Sequence, residues 1–159
     1  MTEKKIKKLK DLKKTVGYLQ KRGKKVIFTN GCFDILHLGH IKYLEQAAQL
    51  GDKLIVAVNS DTSVRRIKGK TRPLTPLRVR MQLVAALECV DYVIAFTPST
   101  PAWLIKSLKP DILVKGSDWK TAQIVGAGFV QSYGGKVKRI NFIKGYSTSA
   151  IISRIKKNK

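Results

Sequence analysis

The sequence predicts an α/β fold: an open, mostly parallel five-stranded sheet flanked by helices, in a single domain over residues 1–159. Three observations predict it. Short unbroken apolar runs alternate with amphipathic stretches, and a strand covered by helices on both faces reads as a continuous apolar run. The length suits one core of ordinary size. With 43% hydrophobic residues the composition is that of a folded chain, which excludes global disorder despite 26% charged residues.

The elements follow in order. Residues 1–23 read as a basic N-terminal helix, because Ile6, Leu9, Leu12, Val16 and Leu19 recur at helical spacing. That stripe can dock on the domain, and a basic helix touching membrane or nucleic acid is the alternative. Gly23 stops the helix, and residues 25–29 form a first strand. A turn at Asn30-Gly31 leads into a helix reaching about Leu50, with Ile41, Leu44, Ala47 and Ala48 inward. Residues 53–58 are the second strand. Thr75-Pro76 opens a helix by cap and first-turn proline, with Leu77, Met81, Val84 and Ala85 inward and Arg80 toward solvent. Residues 92–96 are the third strand, Thr100-Pro101 begins another helix, and residues 112–114 are the fourth strand. A helix over 127–133 stops at Gly134-Gly135, and residues 136–140 are the fifth strand. Ser147, Thr148 and Ser149 then cap a last helix carrying Ile151, Ile152 and Ile155. The alternation is Rossmann-like.

The formal charge is +22, from 32 basic and 10 acidic residues. Residues 1–25 contribute +9, residues 119–159 another +9, and residues 26–118 only +4. The excess is therefore terminal, whereas a nucleic-acid groove would run through the fold with aromatics interleaved. No specific nucleic acid is expected, but an anionic partner is. No apolar run approaches the roughly 20 residues of a membrane span, and the first residues lack the pattern of a secretory signal. Cys32 and Cys89 make neither a disulfide framework nor a thiolate metal site. A cytoplasmic location is expected.

In open parallel sheets ligands bind at the carboxyl ends of the strands. That rule selects residues 29–40, 59–61, 115–119 and 145–149. No GxGxxG or Walker loop follows the first strand, which argues against dinucleotide dehydrogenases and P-loop enzymes. The two histidines of the chain, His37 and His40, stand three residues apart at the strand-to-helix junction. That spacing puts both rings on one side of a helix start, over the positive end of its dipole. Gly39 between them lets a phosphate approach the backbone. Phosphoryl or nucleotidyl transfer, which needs positioned groups and charge stabilisation, suits this arrangement. A zinc pair is the competing reading, without an evident third ligand. Chance pairing of two surface histidines is the simplest one.

The run Gly31-Cys32-Phe33-Asp34, followed by His37-Leu38-Gly39-His40, resembles the GxFDxxHxGH motif of the cytidylyltransferase-like nucleotidyltransferases. The runs FTNGCFDILHLGHIKYLEQA, LIVAVNSDTSVRRIKG, RPLTPLRVRM, LVKGSDW and GYSTSAII resemble, in order, the adenylyltransferases that form ADP-heptose for lipopolysaccharide. The similarity covers residues 24–156. It implies transfer of AMP from ATP to D-glycero-β-D-manno-heptose 1-phosphate, releasing pyrophosphate, with Mg2+ carried by ATP and no metal site of the protein's own. It further implies a homodimer.

Carried over by position, His37 and His40 would hold the nucleotide phosphates and stabilise charge on the departing pyrophosphate. The sugar phosphate is already nucleophilic at neutral pH, so no base is required. Lys68 and Arg72 could close over the phosphates as a mobile cationic lid, or be plain surface charge. Arg78 is the third cation of that group. Thr29, Asn30, Gly31, Cys32, Phe33 and Gly39 would line the nucleotide, Cys32 as a small packing residue. Tyr146, Ser147, Thr148 and Ser149 would offer a second phosphate position, although a capping motif explains Ser147 or Thr148 equally well. Asp34, Asn59, Lys115, Gly116, Asp118 and Trp119 would face the sugar phosphate. For Asp34 a structural turn carboxylate is the alternative, and Trp119 could line the pocket or only pack. Asp61 reads as a helix cap.

Many relatives carry this domain after a ribokinase-like sugar kinase, for which this length has no room, so a separate kinase is expected. Phosphopantetheine adenylyltransferases usually have Thr where His37 stands, and aminoacyl-tRNA synthetases need further modules. Cytidylyltransferases acting on glycerol 3-phosphate or phosphoethanolamine remain the enzyme alternative. A basic nucleic-acid-binding protein is the non-enzyme one.

Overall fold

The computed structural model describes residues 2–141, 143 and 145–157; Met1, within the expected first helix, lies outside them. Five strands form one sheet: β1 (Val26–Gly31), β2 (Lys53–Asn59), β3 (Tyr92–Phe96), β4 (Ile112–Gly116) and β5 (Lys136–Ile140). Their order is β3-β2-β1-β4-β5 and every pairing is parallel, a step beyond the mostly parallel expectation. The helices are α1 (Leu9–Lys21), α2 (Leu38–Ala48), α3 (Asp61–Lys68), α4 (Leu77–Ala86), α5 (Ala102–Leu108), α6 (Ala127–Ser132) and α7 (Thr148–Lys157).

The unbroken apolar strands arise because both faces are covered. On one face Leu12 and Val16 of α1, Leu104 and Ile105 of α5, and Val130 of α6 pack on Phe28, Ile55 and Leu113. On the other, Leu44 and Ala47 of α2 with Val84 and Ala85 of α4 pack on Ile27, Val56 and Val114. At the amino edge, three carboxylates lock neighbouring strands in register. Asp52, just before β2, accepts from the Lys25 N–H at 2.8 Å, Asp91, before β3, from the Leu54 N–H at 2.8 Å, and Asp111, before β4, from the Val26 N–H at 2.9 Å.

The opposite edge positions the site. β1 pairs with β2 through Gly31, and β4 pairs with β5 through Gly116. Between themselves, however, β1 and β4 pair only at Ile27–Ile112 and Phe28–Leu113. Beyond those residues the central strands part, and the crevice opens at the point where the chain reverses its direction across the sheet.

Several expectations are corrected. Asn30-Gly31 is the end of β1 rather than a turn, since its neighbour β2 is still in register there. α2 begins only at Leu38. Ile6 is not helical: residues 2–5 form a 3-10 turn, and Ile6 bridges to Val93 at the sheet's edge. The cap of α3 is Ser60, whose hydroxyl accepts from the Ser63 N–H at 3.3 Å, and Asp61 is the first helical residue. Arg80 points inward and is wholly buried.

Candidate functional site

The crevice is a cleft of about 720 Å³ bounded by the carboxyl ends of the strands and the loops that follow them. His37 is the residue before α2, extended, with its carbonyl accepting from the N–H groups of His40 and Ile41. One turn separates the two imidazoles, so they stack, with centroids 3.9 Å apart and planes at 24°. The Nδ1 atom of each ring is buried without a hydrogen-bond partner, and so is Oδ1 of Asn30. Burial lowers the pKa of His37, and burial together with the neighbouring His37 lowers that of His40 to about 4. Both rings are therefore neutral at pH 7. They can donate to an anion without already holding one, at a helix amino terminus that favours negative charge.

Phe33 wedges this arrangement. It adopts φ +48°, is buried, and its ring lies 5.2 Å from that of His40. A Cβ on residue 31 would sit 2.9 Å from that ring, so any larger residue would push the ring out of place. A Cβ on residue 39 would come within 3.0 Å of the His37 ring and 3.2 Å of Tyr146 Cβ. Gly39 thus lets the segment entering α7 lie against the first turn of α2.

Lys115 reaches across the gap between the parted strands, its Nζ 3.5 Å from the Asn30 carbonyl. Burial lowers its pKa to about 8, although Cys32 and Asp118 act in the opposite direction. Burial also raises the Cys32 thiol, as expected of a packing residue at the cleft wall.

Asp34 is 2% exposed and fully engaged. It accepts from Arg72 Nε at 2.5 Å and from the N–H groups of Leu74 and Thr75 at 2.8 Å each. Burial alone would raise its pKa, but the two backbone donors and the guanidinium prevail and lower it. Asp34 therefore ties the segment after α3 to the histidine loop. Arg72 spends Nε on this tie, and its two terminal nitrogens have no protein partner among the described residues. Lys68, the last residue of α3, is exposed at the cleft.

Arg80 sits behind this loop. It donates to the Thr75 carbonyl at 2.9 Å, the Cys32 carbonyl at 2.5 Å and Asp61 at 2.6 Å. One guanidinium so joins the β1–α2 loop, the start of α3 and the loop before α4. Its position, three after Leu77 and four before Val84, places it on the inward stripe of α4, and that spacing was the signal available in the sequence.

The cleft brings together Asn30, Gly31, Cys32, Phe33, Asp34, His37, His40, Asn59, Lys68, Arg72, Lys115, Gly116, Asp118, Trp119 and Tyr146 through Ser149. Three expected residues stand apart. Thr29 is buried below it, its hydroxyl 2.8 Å from Tyr43 OH. Gly39 is buried inside the first turn of α2. Arg78 is exposed and borders a separate depression with Glu3 and Ile6, on the far side of α4 from the guanidinium of Arg80. Ser147 does act as a cap, accepting from the Ala150 N–H at 3.1 Å. Sequence reasoning missed Tyr43 and Ile67, and it also missed residues 99–101 and 123–125. The last two groups lie beyond the strand ends, in loops whose composition is ordinary.

A sheet that opens at its switch point onto a helix amino terminus flanked by lysine and arginine defines an α/β protein with a crevice suited to anionic ligands. The chain belongs to the cytidylyltransferase-like family, which matches residues 28–154. It is 53% identical over 135 residues to the bifunctional protein HldE of Alcanivorax borkumensis, covering 85% of this chain and 28% of that one. To HldE of Nitratiruptor sp. it is 52% identical over 155 residues, covering 98% and 33%. It thus spans about a third of the length of these curated relatives. Among solved structures, a lipopolysaccharide core biosynthesis protein from Thermoplasma volcanium is 34% identical with a TM-score of 0.61, covering 79% of this chain and all of that one. Pantoate-beta-alanine ligase from Francisella tularensis, at 18% identity and a TM-score of 0.63 over 95% of this chain and 76% of that one, shares the fold.

Two outcomes test the geometry. Arg80→Ala strands the Asp61 carboxylate and two carbonyls, and should cost about 3 kcal/mol in urea unfolding, the partial exposure of Asp61 being allowed for. A loss within experimental error would remove Arg80 as the joint of these loops. Lys115 is cationic at pH 7 and loses its charge as pH rises through about 8. If it holds phosphate, the Kd for ATP should rise about fivefold from pH 8 to pH 9, the effect of one proton. Calorimetry should find that slope abolished in Lys115→Met, and a flat wild-type profile would take Lys115 off the ATP phosphates.

Proposed function

We propose that this chain transfers the adenylyl group of ATP to D-glycero-β-D-manno-heptose 1-phosphate, giving ADP-heptose and pyrophosphate for lipopolysaccharide core synthesis. The observation that carries this reading is the neutral, stacked pair of His37 and His40 at the amino end of α2, the Nδ1 atom of each without a hydrogen-bond partner. The order of the motifs and the half-identity to HldE sequences support the choice of nucleotide and sugar.

An oxygen of the sugar phosphate attacks the α-phosphorus, and the bonding pair to the bridging oxygen leaves with pyrophosphate. The nucleophile is ionised already, so the protein's task is to hold two anions together and stabilise charge on the leaving group. His37 and His40 donate ring N–H groups to phosphate oxygens. Lys68, Lys115 and the free nitrogens of Arg72 offset the charge. The start of α7, with Thr148 and Ser149, offers backbone N–H groups and hydroxyls to the outer phosphates.

Magnesium carried by ATP would neutralise charge on the triphosphate. The donors present fit an ion carried by phosphate oxygens: Asp34 is committed to Arg72, which leaves Asp118 as the carboxylate at the cleft. The protein would work in the cytoplasm as a homodimer, supplied by a sugar kinase activity. Among the described residues no helix is long and apolar enough to cross a membrane.

The deciding experiment is a matrix of nucleotides against phosphorylated acceptors, read by pyrophosphate release. ATP with heptose 1-phosphate should turn over best. Turnover with CTP and glycerol 3-phosphate or phosphoethanolamine, and none with that pair, would replace this reading by the cytidylyltransferase one. His40→Ala should slow turnover by about 10²–10³-fold, the scale for losing a positioned donor, with an unchanged melting temperature. Wild-type rates in that variant would sink the assigned role.

A further inference from the structure

Displacement at phosphorus runs in line, so the acceptor has to enter from the side away from the departing pyrophosphate. The two walls of the cleft differ in the way such a division requires. One wall comes from the sheet face covered by α2 and α4 and carries His37, His40 and Arg72, with Lys68 at its rim and the segment entering α7 against Gly39. The other wall rises over the face covered by α5 and α6. Its cleft residues are Ser99, Thr100 and Pro101, leading into α5, and Gln123, Ile124 and Val125, leading into α6. None of these six is charged, and Lys115, on the Leu113 side of β4, stands at the foot of this wall.

This second wall is built rather than incidental. At the end of β2 the Asn59 amide donates to the Ser63 hydroxyl at 3.0 Å, and that hydroxyl donates to the Pro98 carbonyl at 3.0 Å. The Ser60 N–H reaches the Phe96 carbonyl at 2.8 Å, and Arg66 reaches that of Thr97 at 3.3 Å. Asn59, Ser60 and Ser63 are buried, so the backbone of residues 96–98 is held by a network water cannot easily displace. The next two residues, Ser99 and Thr100, are exposed at the cleft, as is Gln123 opposite them. None of these three side chains hydrogen-bonds to protein among the described residues, whereas Pro101 and Ile124 beneath them are buried.

We propose that Ser99, Thr100 and Gln123 form the acceptor subsite and select the sugar of the sugar 1-phosphate, resting on the adenylyltransferase reading above. A polyol presents many hydroxyls and a C–H face, and this wall offers two hydroxyls and one amide above an apolar ledge. A purine would call for a flat aromatic partner, and the exposed aromatic side chains at the cleft among the described residues, Trp119 and Tyr146, belong to other segments. With the triphosphate along the wall of His37, His40 and Arg72, the sugar-phosphate oxygen bonds to the α-phosphorus from the side of Ser99, Thr100 and Gln123, above Lys115, as the bond to pyrophosphate breaks.

The test compares wild type with Ser99→Ala/Thr100→Val and with Gln123→Leu. Each should raise KM for heptose 1-phosphate by about tenfold or more, the scale for losing hydrogen bonds a site was built to make. The Kd for a non-hydrolysable ATP analogue should stay within twofold, and the preference for heptose 1-phosphate over glucose 1-phosphate should narrow. Thr100→Ser should behave as wild type. An unchanged acceptor KM, or an analogue Kd that rises in step, would overturn the subsite. If wild type turns over no sugar 1-phosphate, the adenylyltransferase reading falls by itself. Heptose 1-phosphate binding with the analogue present then judges the wall, and binding that is absent, or indifferent to Ser99→Ala/Thr100→Val, would overturn it.

Discussion

β1 and β4 stop pairing after Phe28 and Leu113, and everything at the cleft depends on that parting. A closed ladder would bury Asn30, Gly31, Lys115 and Gly116 between strands. Instead each of these residues keeps one partner strand, on its outer side, and turns its other edge to the crevice. The open edge exposes backbone polar groups that a sheet would normally pair, and such groups need partners. Lys115 spans the gap toward the Asn30 carbonyl, and the amino terminus of α2 stands directly above. The anion site is thus a consequence of how two strands diverge, with the histidines placed at its mouth.

A parted sheet has to be kept from sliding, and the polar groups that do so are seldom the ones that meet a ligand. Asp34 and Arg80 hold two chain segments by backbone atoms: the N–H groups of Leu74 and Thr75, and the carbonyls of Cys32 and Thr75. Charge-assisted bonds to backbone fix geometry better than contacts between long flexible side chains. Arg72 stands between the two tasks, anchored through Nε while its terminal nitrogens face the cleft. The loop after α3 is therefore a fixed shelf on the Asp34 side, and any movement over a ligand is left to the exposed stretch around Lys68 and Gly69.

Much of the fold was legible because apolar content and strand position coincide. Residues 53–58 and 92–96 could hardly be anything else. The strand ends were less clear, since Asn30-Gly31 has the composition of a turn and the sequence does not show that β2 continues beside it. α3 was obscured for a related reason. Of its eight residues only Ser63 and Val64 are buried, so it has almost no apolar stripe to read. The histidine pair was legible because spacing alone fixes its geometry. The opposite wall was not, because Ser99, Thr100 and Gln123 acquire meaning only when two loops distant in sequence meet. Asp34 could be placed at the site from the motif, but its complete occupation by Arg72 and two backbone donors is a tertiary fact.

The charge of +22 gains a physical reading from the same contacts. Of the 10 acidic residues, Asp52, Asp91 and Asp111 bind strand N–H groups, and Asp34 and Asp61 hold Arg72 and Arg80. Acid is concentrated where the backbone or a buried guanidinium demands a carboxylate, which leaves few acids to balance the surface lysines. The net charge is then less a recognition patch than the remainder once structural carboxylates are assigned. Its effect on function is one of range: a field of several lysine-rich elements draws phosphate esters toward the protein and is screened within about 10 Å at 0.1 M salt. Lys68, Arg72 and Lys115 line the cleft itself, where salt would screen their pull on a bound phosphate far less. Ionic strength should therefore separate the two contributions, moving the association rate through the outer lysines while leaving the chemistry beside His37 and His40 nearly untouched.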